Sequence, residues 1–340
     1  MSRLLDLFGA EVPVIAAPMA GGPTTPELVA AATAVGSFGF LAAGYRSPTD
    51  LQTQIDATRR HTDRFGVNLF VPRSSGIDAA VYRAYRDLLA PLADRYDVEL
   101  PAEPLIDDDH WLDKVDILLA APPSVVSFTF GIPDAATAEA LRRAGVTLAQ
   151  TVTSAEEAAL AEEAGMDLLV VQAPGAGGHS GTFTPERALA AITLPQLVSQ
   201  VAARSELPIV AGGGVATAAD VQAALSAGAV AVAVGTALLL APEAGTSATH
   251  RQALRELTDR PTTLTHAFTG RTARGIRNAF IDRHVDAPFG YPELHHLTQP
   301  IRRAAAAAGD AENVHLWAGT GFASIVERTA SETLLALADY

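Results

Sequence analysis

Eight short apolar runs, each followed by a longer Ala/Leu-rich stretch with helical spacing, decide what this chain can fold into. The runs fall at 12–17 (VPVIAA), 38–43 (FGFLAA), 65–71 (FGVNLFV), 125–130 (VVSFTF), 146–151 (VTLAQT), 166–172 (MDLLVVQ), 207–212 (LPIVAG) and 230–235 (VAVAVG). Most are apolar throughout instead of alternating, as parallel strands buried on both faces are. Helix starts stand between them. Thr25-Pro26 and Ser47-Pro48 set a capping hydroxyl before a proline at the first helical position. Ser154 and Glu157 have capping-box spacing, and Thr217 with Asp220 forms a weaker version built on a shorter acid. Gly36, Gly145, Gly165 and Gly228 each follow a helix and precede a strand, where a left-handed residue ends the helix.

This repetition predicts an α/β protein, a (β/α)8 TIM barrel occupying residues 1–240. A doubly wound open sheet is the alternative, because strand order is not written in the pattern. Residues 73–124 are longer than one connection needs and are read as an inserted helical segment, with Asp107, Asp108 and Asp109 as a solvated acidic turn. Residues 241–340 are expected to form a mostly helical C-terminal extension packing over the active-site side, ending in an amphipathic stretch near 323–337. The formal charge of -14, from 24 Lys+Arg against 38 Asp+Glu, argues against nucleic-acid or anionic-membrane partners. The absence of cysteine excludes disulfides, thiolate metal sites and thiol catalysis. Asp6 and Glu11 interrupt any signal-like apolar core, and the longest apolar run, 229–241, is too short for a membrane span. A cytoplasmic protein is expected, its oligomeric state unknown.

Barrel enzymes place their chemistry at the C-terminal ends of the strands. After the first run come Ala17, Pro18 and Met19, with Gly21 and Gly22 beyond, small enough to let a flat ligand approach the backbone. Asn68 follows the third run with a donor and an acceptor on one amide. The sixth run ends in Gln172 and opens a glycine-rich loop, Gly175 to Gly181, carrying Gly177, Gly178 and the imidazole of His179. Backbone N–H groups in such a loop are unshielded and suit an anion. Gly213 and Gly214 after the seventh run, and Gly235 and Thr236 after the eighth, have the placement of a barrel phosphate site. No metal set is visible: HExxH is absent, and the adjacent His295 and His296 diverge on a helix. The remaining histidines start as structural or surface residues.

The segments APMAGG, GVN, QAPGAGGHSG, AGGG and VGT, in this order at successive strand ends, resemble the nitronate monooxygenase family. The likeness continues through FTGRTARGIRN, GYPELHHLTQPIR and LWAGTGF and covers nearly the whole chain. It implies an FMN-containing barrel in which Ala17, Pro18 and Met19 underlie the flavin ring, while Asn68 and Gln172 bond its polar edge. Gly177, Gly178, Gly213, Gly214, Ala233, Val234, Gly235 and Thr236 would line the ribityl phosphate. His179 would be catalytic, and Tyr291 and His295 would face substrate. Ala233 and Val234 stand where members often carry a polar residue. His295 and Gln299 replace a Tyr and a Lys expected of enzymes tuned to propionate 3-nitronate, so that substrate is in doubt.

The implied reaction oxidises an alkyl nitronate with O2 to a carbonyl compound and nitrite. A local cation is needed to hold the anion, and Arg271 and Arg274 are the candidates. Two rivals stay open. One is an NAD(P)H-dependent FMN reductase, of quinone or enoyl-acyl-carrier-protein type, on the same barrel. The other is a phosphate-binding lyase or a non-catalytic ligand-binding barrel; Lys114, the single lysine, lies before the fourth strand, a poor place for a Schiff base.

Overall fold

The expected caps close as hydrogen bonds. In the computed structural model, which describes residues 7–73 and 76–340, Thr25 Oγ1 accepts from Leu28 N at 3.0 Å and Ser47 Oγ from Asp50 N at 3.1 Å. They start the helices Pro26–Ala34 and Pro48–Arg59. Gly36, Gly145, Gly165 and Gly228 all take positive φ, between 76° and 117°. The two boxes differ from expectation. Thr217 and Asp220 form the complete one, whereas Glu157 gives its N–H to Ser154 and turns its carboxylate to Thr153.

The strands in chain order are β1 Val14–Ala16, β2 Phe40–Ala42, β3 Gly66–Phe70, β4 Val125–Thr129, β5 Thr147–Val152, β6 Leu168–Gln172, β7 Gly178–His179, β8 Ile209–Gly212, β9 Ala231–Val234, β10 Thr262–Thr265 and β11 Ala273–Ile276. Eight of them run parallel in the order β1-β9-β8-β6-β5-β4-β3-β2. A parallel bridge from Ala16 to Gly39 brings the two edges together. The sheet is therefore a barrel, not the open doubly wound alternative. Ile15, Phe38, Phe40, Val125, Ala149, Leu168 and Val210 fill its interior, and a larger apolar layer joins strands to the outer helices. Burial on both faces accounts for the unbroken apolar runs.

The barrel does not end near residue 240. The helix Ala330–Ala338 packs between Pro26–Ala34 and Ala218–Ser226 and against β1, with Ala330, Leu334 and Leu337 in the main core. It serves as the eighth barrel helix, so residues 241–329 form an insertion within the last βα unit. Nor is that insertion mainly helical. It contains the hairpin β10–β11, whose second strand pairs antiparallel with β7. The earlier insertion contributes two helices. Trp111–Ala120 takes a place among the barrel helices. Ala79–Tyr96 packs instead on Glu293–Ala307, burying Tyr82, Tyr85 and Leu89 with Phe268, Phe280 and Leu297 in a second core. No helix among the described residues is long and apolar enough to cross a membrane.

Candidate active site

A cavity of about 660 Å³ opens at the C-terminal ends of the barrel strands. Its wall contains Ala17, Pro18, Met19, Asn68, Gln172, Gly177, Gly178, His179, Gly213, Gly214, Ala233, Val234, Gly235, Thr236 and His295, so the structure brings these predicted residues together. Tyr291, Arg271 and Arg274 are not part of that wall.

Two of these glycines, Gly177 and Gly213, cannot be exchanged. A Cβ on Gly177 would lie 2.6 Å from Gly319 N, and one on Gly213, at φ 124°, would lie 2.7 Å from Ala173 O. The loops are thus packed backbone to backbone. The N–H groups of Gly177, Gly213 and Gly214, all partly exposed to the cavity, find no hydrogen-bond acceptor among the described residues. Beside them Thr236 Oγ1 accepts from Gly319 N at 3.0 Å, which leaves its own hydroxyl hydrogen free to donate. This is a donor cradle for an anion such as a phosphate.

Asn68 is 4% exposed. Its Nδ2 donates to Ser127 Oγ at 2.9 Å and Thr129 Oγ1 at 3.0 Å, which presents Oδ1 as an acceptor to the cavity. Gln172 does something else. Its Oε1 accepts from Gly181 N at 2.7 Å and its Nε2 donates to His179 O at 3.1 Å. Both ends of the amide clamp the loop that carries His179, which leaves one N–H for any ligand.

His179 sits in β7 opposite Ala273 of β11. Its Nε2 is 2.8 Å from Thr269 Oγ1, and its ring meets Phe130, Tyr291 and Trp317 at centroid distances of 5.5–5.9 Å. Burial, with Arg271 and Arg302 nearby, pushes its pKa down to about 3. The imidazole is neutral at working pH.

The expected cations hold the loop and not the ligand. Arg271, 2% exposed, donates through Nε to Ser180 O at 3.1 Å and through Nη2 to Thr182 O, with its guanidinium 4.0 Å from the centroid of the Phe130 ring. Arg274 Nε donates to Pro174 O at 2.7 Å. The buried cation on the cavity wall is Arg302, 5% exposed, donating to His295 O at 2.7 Å and Thr298 Oγ1 at 3.0 Å. Neither Arg271 nor Arg302 has a carboxylate partner among the described residues. Arg46 and Arg303 also reach the wall, and no Asp, Glu or Lys among the described residues does.

The sequence reading missed Arg302, Thr269, Tyr45 and the cavity-facing His250 and His315. A signal for Arg302 existed: His295, Gln299, Arg302 and Arg303 recur at i, i+4, i+7 and i+8, a polar stripe on one helix face. The acidic turn was also misread. Asp109 is paired with buried Lys114 at 2.8 Å, and Asp107 lies 2.9 Å from His296.

Comparison with known proteins shows the family of the chain. The family model "Nitronate monooxygenase" matches residues 1–337. A probable nitronate monooxygenase of Staphylococcus aureus (strain JH9) is 36% identical over 324 residues, covering 94% of this chain and 91% of the relative. The solved structure of a nitroalkane oxidase from Streptomyces ansochromogenes superposes with a TM-score of 0.91 at 41% identity, covering 99% of this chain and 96% of the other. FabK from Thermotoga maritima has a TM-score of 0.74 at 25% identity, covering 98% and 94% of the two chains.

Proposed function

The chain belongs to the nitronate monooxygenase family of oxidoreductases, and on that premise we infer that it is an FMN-dependent enzyme converting an alkyl nitronate and O2 to a carbonyl compound and nitrite. One observation carries the reading. In a protein of charge -14, the cavity wall holds three arginines and no acid among the described residues. Arg302, without a counter-ion, and Arg271 behind the wall flank a neutral imidazole. An unpaired buried cation is costly, and an anionic ligand offsets that cost.

FMN fits the remaining groups. Gly177, Gly213, Gly214 and Thr236 would hold its phosphate, Ala17, Pro18 and Met19 would lie along its ring, and Asn68 Oδ1 would accept from a ring N–H. When bound, FMN supplies the one-electron chemistry with nitronate and O2. The chain's own work is positional. Arg302 and Arg271 make the potential positive where the anion sits, and Phe130, Tyr291 and Trp317 exclude water around His179. With its pKa near 3, His179 is a weak base toward a neutral nitroalkane. Its role is to pack against and orient the preformed nitronate, with Thr269 holding the ring through Nε2.

Anaerobic mixing of the FMN-loaded protein with ethylnitronate tests this. Loss of the oxidised-flavin absorbance, with nitrite released in air, is expected. Bleaching by NADH or NADPH with no response to ethylnitronate would instead establish the pyridine-nucleotide reductase, and protein that takes up no FMN would leave the phosphate-binding barrel.

A further inference from the structure

Tyr45 follows β2 with φ at 65°, a left-handed backbone that a bulky residue keeps only when its surroundings over-determine it. Those surroundings are specific. Its N–H donates to Asp109 Oδ1 at 2.9 Å, and the same carboxylate oxygen lies 2.8 Å from Lys114 Nζ. Lys114, 1% exposed, also donates to Ala43 O at 2.9 Å, two residues before the tyrosine. The ring lies flat on His295, with centroids 4.2 Å apart and planes 3° from parallel, and meets Phe70 edge-on at 5.4 Å. A buried ion pair, a ring stack and a strained backbone all fix one phenol.

That phenol has a proton left over. Tyr291 OH donates to Tyr45 OH at 3.0 Å, so the Tyr45 oxygen is an acceptor toward Tyr291. No other residue among those described accepts the Tyr45 hydrogen. Tyr45 is on the cavity wall and Tyr291 is not, although the Tyr291 ring packs 5.6 Å from that of His179. Burial raises both phenol pKa values, so both stay protonated. Accepting one hydrogen bond polarises Tyr45 to donate another more strongly.

We propose that Tyr45 is a substrate-binding residue, its hydroxyl donating a hydrogen bond to a nitronate oxygen, with Tyr291 and the Asp109–Lys114 pair as the residues that position it. This deepens the nitronate reading and rests on it. It adds to the substrate contacts that the family resemblance implies for Tyr291 and His295 a residue that no motif marked, and gives Tyr291 a positioning role. A hydrogen bond to a charged acceptor is worth a factor of roughly 10 to 100 in binding.

The test uses the FMN-loaded enzyme and two probes: ethylnitronate as substrate, and nitrate as a planar anion that cannot be oxidised. In Tyr45→Phe the flavin content is expected to stay at the wild-type level. Its KM for ethylnitronate should rise about 10-fold or more, and nitrate, titrated against flavin absorbance, should bind more weakly by a similar factor. Tyr291→Phe should weaken nitrate by about 2- to 10-fold, and the double variant should be no weaker than Tyr45→Phe alone. Unchanged nitrate affinity and KM in Tyr45→Phe would remove the proposal while leaving wild-type nitronate oxidation standing. Flavin loss in that variant would overturn it by placing the hydroxyl on the cofactor, and strictly additive losses would overturn the role given to Tyr291. If the wild type releases no nitrite from ethylnitronate, the nitronate reading fails and the proposal falls with it.

Discussion

Lowering the pH from 7 to 5 should destabilise this fold by about 3 kcal/mol or more, through histidines that the structure keeps neutral. His250, His284 and His295 are 8%, 7% and 6% exposed. Burial lowers the first two to about 4 and the third well below its ordinary value. In the unfolded chain each titrates near 6.5, so between that pH and the folded values the unfolded state holds more protons and stability falls as pH falls. At pH 5 the difference is about 2 kcal/mol for each of His250 and His284, roughly 4 kcal/mol together, and His295 adds to it in the same direction. Asp109 works the other way: burial raises it to about 6, and its protonation in the folded state returns about 1 kcal/mol. The net loss, about 3 kcal/mol or more, is a large share of the stability of many domains. Urea denaturation at pH 7, 6 and 5, followed by the fluorescence of Trp111 and Trp317, should show the midpoint dropping steeply. His284→Phe gives the control. That ring packs with Tyr85 and Phe280 away from the cavity, and its replacement should remove one proton from the uptake on unfolding. Equal midpoints at pH 7 and pH 5 would refute the reasoning.

Three further outcomes follow from the geometry. Gly213→Ala, which forces a Cβ to 2.7 Å from Ala173 O at φ 124°, should cut FMN retention about 10-fold or more, read as flavin per protein after gel filtration; full retention would contradict the cradle. Thr269→Val leaves His179 Nε2 without its 2.8 Å partner and should lower kcat/KM about 10- to 100-fold, with Thr269→Ser restoring most of it. Arg302→Met removes the smallest of the three causes that hold His179 down, after burial and Arg271, so its pKa should rise only modestly from about 3 and the imidazole should stay neutral at pH 7; imidazole NMR should show that small upward step, and an unmoved titration would count against the field assigned to Arg302.

The barrel was legible because its signals are local. A capping hydroxyl, a glycine at positive φ and an unbroken apolar run each act within a few residues, as Thr25, Gly36 and β6 show. The His179 loop was legible for the same reason: its glycines cluster in sequence. What was lost depends on partners far apart. Asp109 reads as a solvated acid until Lys114 and the Tyr45 N–H are brought to it. Gln172 reads as a ligand contact until Gly181 and His179 fold back onto its amide. The hairpin β10–β11 has neither strict alternation nor a two-residue turn, so its pairing with β7 left no trace. The last barrel helix follows an insertion, and nothing near residue 240 announces that it is still to come.

That delayed helix bears on the chemistry. Residues 241–329 are anchored at one end by β9 and at the other by Ala330–Ala338, both packed into the barrel, so the insertion is closed like a loop and not appended like a tail. The imidazole is held from both bodies. Gln172 at the end of β6 bonds His179 O, while Thr269, between the two strands of the hairpin, bonds its Nε2. The pairing of Ala273 with His179 links those two holds through one small sheet. Deleting the contact of Ala330–Ala338 with β1, for instance by Leu334→Asp, should therefore lower nitronate turnover and flavin retention together, although no atom of that helix lines the cavity.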